Sequence, residues 1–111
     1  MSLNQVAPFR AVVSGTTTLA VSATSTNYAL AAYPAGSPTD SRSVYILVQG
    51  ANPVHVEFHN SSAGIAATSG VAMPVWPGVP TVVGIQGDTT RVVALAVSGP
   101  SLTSFTIGFG R

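Results

Sequence analysis

The chain predicts an all-β fold: a single-domain antiparallel β-sandwich of eight or nine short strands, with a jelly roll as one concrete arrangement. Three observations carry that expectation. Eleven glycines and eight prolines punctuate the 111 residues. The apolar runs between them are short and rich in Val, Ile, Phe and Tyr, the composition of strands. No segment keeps an apolar stripe at three- and four-residue spacing, which a helix packed on a core requires. A chain of this length makes one domain with one modest core.

Residues 1–8 show no strand pattern and are read as an N-terminal arm able to reach a neighbouring subunit, leaving 9–111 as the sandwich. Strands are expected at 9–14 (FRAVVS), 16–22 (TTTLAVS) and 28–33 (YALAAY), where β-branched and aromatic residues recur. YPAGSPTDS (33–41) then supplies two prolines, a glycine and Asp40, the chemistry of turns. Strands at 43–49 (SVYILVQ) and 53–59 (PVHVEFH) follow, then HNSSAGIAATSG (59–70), a long loop of small residues. The segment VAMPVW (71–76) is expected to be a strand. The three prolines of MPVWPGVP around Trp76 make the region an edge strand or a rigid extended loop. Strands at 80–86 (PTVVGIQ) and 90–97 (TRVVALAV) read as a hairpin turning at Gly87-Asp88. The last strand is expected at 102–108 (LTSFTIG).

Alternation within the strands speaks to burial. In VHVEFH, Val54, Val56 and Phe58 share one face while His55, Glu57 and His59 share the other, as in a strand with one wet side. VYILV (44–48) and VVALAV (92–97) are apolar on both faces. Their outer faces therefore need cover from a loop, the arm or another chain, unless they are central strands of a barrel.

Charge is scarce. Arg10, Arg42, Arg91 and Arg111 are the four basic residues, and with three carboxylates they make 6% of the chain, against a usual share of about 25%. Whole patches of interface size can therefore be free of charge, a surface suited to being covered by a partner. A monomer kept soluble by Ser, Thr, Asn and Gly is the alternative. Four scattered arginines and a net charge of +1 argue against a nucleic-acid partner, which demands clustered Lys and Arg. No basic region followed by an apolar run marks a secretory signal, and no apolar stretch is long enough to span a bilayer. The chain has no cysteine, so it has neither disulfides nor a thiolate metal site.

The histidines and carboxylates invite a search for chemistry. On a strand His55 and His59 stand about 13 Å apart, too far to share a zinc ion bound at about 2 Å. His55 and Glu57 together would supply two ligands, with no further His or Cys in the sequence to complete a site. No nucleophile elbow is present. Asp40 and Asp88 read as turn residues, and GIQGDTTR lacks the lysine and the helix of a phosphate-binding loop. Asn60-Ser61-Ser62 matches a glycosylation sequon, a pattern common by chance. The reading is of a non-enzyme with no metal, no cofactor and no catalytic residue.

In the C-terminal two thirds, VYILVQGANPVHVEFHN, then PVWPGVPTVVGIQG, then TRVVALAVSGPSLTSFTIGFG resemble small β-sandwich structural proteins of tailed-bacteriophage virions, of the decoration or cement type. The likeness covers residues 43–110 and is carried by Val93-Ala94-Leu95-Ala96-Val97-Ser98-Gly99 and the closing Gly108-Phe109-Gly110. It implies a non-enzymatic protein on the capsid surface, made in the bacterial host cytoplasm. Such a protein would bind the major capsid protein or another virion protein, and a trimer would suit local threefold positions.

The side chains expected at interfaces are Phe9, Arg10, Trp76 and Arg91, because aromatics and arginine dominate such contacts. A tail or neck component is the close variant. A carbohydrate-binding adhesion module would need Tyr28, Tyr33, Tyr45 or Trp76 exposed beside polar groups, and an enzyme would need Glu57 and His55 to converge with a partner.

Overall fold

The structure, a computed structural model, describes residues 9–60 and 72–110. The arm expected at 1–8, nearly all of the loop expected at 59–70, and Arg111 lie outside the described residues. Among the described residues eight strands form two antiparallel sheets: β1 (Arg10–Val21), β2 (Thr26–Ala29), β3 (Arg42–Val48), β4 (Val54–His59), β5 (Met73–Val75), β6 (Thr81–Gly84), β7 (Arg91–Leu95) and β8 (Ser101–Phe109). One sheet has the order β1-β8-β3-β6 and the other β2-β7-β4-β5. First pairs with last, second with seventh, third with sixth and fourth with fifth. That is the strand order of an eight-stranded jelly roll.

The two strands expected at 9–14 and 16–22 are one. β1 pairs with β8 at Arg10↔Phe109 and Ala11↔Gly108 and resumes at Thr16↔Thr106, so residues 12–15 oppose Ile107 alone. This bulge seats Ser14 at φ 60°, and Gly15 is required because a Cβ there would lie 2.8 Å from the Val12 carbonyl oxygen.

Other boundaries shift as well. β2 covers only residues 26–29, and the expected strand at 28–33 leaves the sheet at Leu30, whose N–H bonds the Thr90 carbonyl. The 80–86 and 90–97 runs are not a hairpin: β6 and β7 belong to different sheets, and Gly87-Asp88 lies in the loop that crosses between them. Local turn chemistry is the same in either case, so the sequence signal misled. The proline-rich β5 is a three-residue edge strand, one of the two readings its prolines allow.

Between the sheets lie Val44, Ile46, Val54, Val56, Val92, Phe105 and their neighbours, all buried. VHVEFH alternates as expected: Val54 and Val56 are buried, and His55, Glu57 and His59 face outward. Within the described residues, cover for the apolar outer faces comes from the chain itself. The Phe9 ring packs on Tyr45 at 5.7 Å. On the other sheet Val93 is buried in a small outer cluster with Ala72 and Leu95. Tyr45 and Val93 therefore need no second subunit to cover them, while Val97 at the end of the second run stays exposed.

Candidate docking surface

The jelly roll gathers four loops at one end of the sandwich and three at the other, and the two ends of this molecule differ in kind. The connections β1–β2 (22–25), β3–β4 (49–53), β5–β6 (76–80) and β7–β8 (96–100) meet at one end and contain no charged residue. Every described charged side chain lies elsewhere. Arg10, Asp40, Arg42 and Asp88 sit at or near the opposite end, and Glu57 and Arg91 lie on the outer face of the β2-β7-β4-β5 sheet.

Apolar exposure has the reverse distribution. Among the described large hydrophobics that are exposed, Trp76 (58%), Val79 (53%) and Val97 (53%) stand on the uncharged loops, and Leu102 lies one residue inside β8 at the same end. Val13, at the crest of the β1 bulge, is the exception.

These loops are fastened to one another. Trp76-Pro77-Gly78-Val79 is a β-turn closed by Val79 N–H to Trp76 O, with Pro77 second and Gly78 third at φ 73°, the requirement of a type II turn. Gly78 N–H also bonds the Val48 carbonyl. Ala96 N–H bonds the Ser22 carbonyl, Ser101 Oγ donates to the Asn52 carbonyl at 2.8 Å, and Gln49 and Gly50 both donate to Leu102 O. The Trp76 ring is thus presented on a pre-organised platform, which lowers the ordering cost of any contact it makes.

The uncharged region continues onto the outer face of β1-β8-β3-β6. There Thr16 and Thr106 share a hydrogen bond of 2.8 Å, Thr18 contacts Ser104, and Ser104 donates to Gln49.

The four side chains expected at interfaces do not form one patch. Trp76 stands on the uncharged end. Phe9 lies over Gly108 and Tyr45 on the β1-β8-β3-β6 face. Arg10 begins β1 at the charged end, and Arg91 is half-buried on the other sheet, its Nε donating to Asn27 Oδ1. Val79, Val97 and Leu102 were missed by sequence reasoning. Their shared location appears only once the loops are placed, although their lack of charged neighbours was legible.

The polar candidates sit apart from this surface. His59 Nε2 lies 3.2 Å from Glu57 Oε1, two residues away on the same wet face. Gly87 packs so closely on Thr39 that the loops carrying Asp88 and Asp40 adjoin, and Asp88 accepts from Asn60 Nδ2 at 2.8 Å. Among the described residues no three of His, Asp and Glu gather to hold a metal ion.

A hollow of about 390 Å³ at the charged end is lined by Tyr33, Arg42 and Thr90. Arg42 turns its donors to backbone carbonyls instead: Nε to Pro38, Nη1 to Gly87 and Nη2 to Ser37. No protein-family model, no curated protein and no solved structure matches the chain.

Proposed function

We propose that this chain is a non-enzymatic structural subunit of a tailed-bacteriophage virion, a decoration or cement protein that docks on the major capsid shell and reinforces it. The observation that carries the reading is the separation of charge from apolar exposure: an uncharged loop end presenting Trp76, Val79 and Val97 on fixed backbone. A pre-organised apolar patch around an aromatic anchor suits a lasting contact with another protein. The jelly roll agrees, since capsid domains use it, and lectins use it too. A tail or neck component would dock through the same surface onto a different part of the particle.

The lectin reading is weaker because the aromatics it needs are engaged. The Tyr33 hydroxyl is held by two backbone carbonyls, Tyr45 lies under Phe9, and Tyr28 packs against the core. Trp76 alone remains as a stacking platform.

The test is co-sedimentation of the purified protein with virion heads stripped of it. The wild type is expected to bind in 0.1 M and 1 M salt alike, as an uncharged interface should, and Trp76→Ala with Val79→Asp is expected to abolish binding. Binding that disappears in high salt, or that survives the double substitution, would overturn this surface. Binding to tails but not to heads would move the protein to the tail or neck.

A further inference from the structure

Among the described residues four strands lie at sheet edges, and three of them are poor templates for another strand. β5 has three residues and includes Pro74, β2 has four, and β6 has four and follows Pro80. β1 is different. Its first half is broken by the bulge at 12–15, but residues 16–21, TTTLAV, are a regular edge without proline, glycine or charge. Natural edges normally carry such protection.

The direction of the unpaired groups follows from β8. The Leu102 carbonyl accepts from Gln49 and Gly50, so Leu102 faces β3, and its alternate neighbours Ser101, Thr103 and Phe105 face β1. Their partners Val21, Leu19 and Thr17 therefore turn their N–H and C=O toward β8. Among the described residues, the N–H and C=O groups of Thr16, Thr18 and Ala20 are left pointing off the sheet.

We propose that this edge pairs with the same edge of a second copy, β1 against β1 in antiparallel register, to make one continuous eight-stranded sheet across a twofold axis at Thr18. Parity fixes the register. For the sheet faces to match, paired residue numbers must sum to an even value. Centring on Thr18 sets Thr18 opposite Thr18 and Thr16 opposite Ala20, all with outward-facing backbone groups. Each such pair exchanges two hydrogen bonds, about six in all. Shifting the axis to Thr17 or Leu19 leaves fewer.

Side chains agree with this register. On the core side, half-buried Thr17 comes opposite Leu19, which lies at the rim of the core, and each completes the other's cover. On the outer face Thr18 meets its own copy, a favourable cross-strand pair. A twofold places identical groups face to face, so an edge of either sign would repel itself, and this one has no charge. A threefold ring cannot use this edge, because a strand pairing with itself is isologous. The pairing is independent of the loop-end docking proposed above.

The experiment is sedimentation equilibrium of the full chain with Thr18→Lys, Thr18→Glu and their equimolar mixture. The Thr18 side chain is exposed, and among the described residues its backbone groups are not used within the subunit. A wild-type dimer is expected, with each single variant weakened by about tenfold or more by like charges set opposite each other and the mixture recovering a dimer. Circular dichroism spectra matching the wild type, with cooperative melting, would show that the variants fold. Thr18→Pro, which removes an outward N–H without removing a bond to β8, is expected to give a monomer with the wild-type circular dichroism spectrum. A wild-type monomer at millimolar concentration would overturn the proposal. So would a dimer indifferent to Thr18→Lys, or one dissolved by Trp76→Ala, which would place the contact at the loop end.

Discussion

Arg42 holds its guanidinium 4.1 Å from the centre of the Tyr33 ring, and this stacked pair fastens the charged end of the sandwich. The Tyr33 hydroxyl donates to the carbonyls of Ser43 at 3.1 Å and Gly108 at 2.7 Å, tying the β2–β3 loop to β3 and β8. Arg42 binds carbonyls of that same loop and of the β6–β7 loop. The planar fork of arginine reaches all three at once; a lysine ammonium cannot. Arg42→Lys is therefore expected to destabilise the fold by about 1–3 kcal/mol, read as a lower urea midpoint with an unchanged slope.

Burial pushes the Tyr33 phenol above its ordinary value of 10, against the opposing pull of its bonds to Gly108 and Ser43 and of the Arg42 charge. The folded chain then keeps its proton at a pH where the unfolded chain has lost it, so stability from this group is complete below pH 10 and falls as pH rises beyond it. Urea midpoints measured from pH 8.5 to 11 should show this fall. Tyr33→Phe should be less stable at pH 8.5 and should lose part of the slope.

Gly50 sits where a side chain cannot. A Cβ there would lie 2.4 Å from Ser101 Oγ and 2.9 Å from the Leu102 nitrogen, inside the junction that fixes the uncharged loops. Gly50→Ala is expected to cost about 1–3 kcal/mol through overpacking. Because Val48, two residues before Gly50, holds the Trp76 turn through Gly78 N–H, shell binding should weaken in this variant as well. Thermal denaturation and the co-sedimentation assay check the two effects separately.

Trp76→Ala should behave in the opposite way. The ring is more than half exposed, so its loss should change stability by no more than about 0.5 kcal/mol while removing the anchor of the docking surface. A large fall in the thermal midpoint would mean that Trp76 serves the fold rather than a partner.

Much of the architecture could be read from the residues in order. The alternation in VHVEFH assigns Val54 and Val56 inward and Glu57 outward because a strand repeats every two residues, and the prolines around Trp76 limit β5 to an edge because they cannot donate to a ladder. Local patterns also misled. The Gly87-Asp88 turn looked like a hairpin because turn chemistry is indifferent to which sheet receives the next strand. The break in β1 looked like a strand boundary because a bulge and a turn call on the same small residues.

By itself the sequence determined the all-β class, the small number of charges and the inward face of each clear strand, since these follow from composition and short-range periodicity. Only the tertiary structure decided where those few charges lie. Antiparallel strands send alternate loops to opposite ends, so residues 22–25, 49–53, 76–80 and 96–100, far apart in the chain, meet as one uncharged surface. The same long-range pairing placed β1 at an edge and turned Thr16, Thr18 and Ala20 outward. Strand order is set by contacts across the whole chain, and no local pattern encodes it.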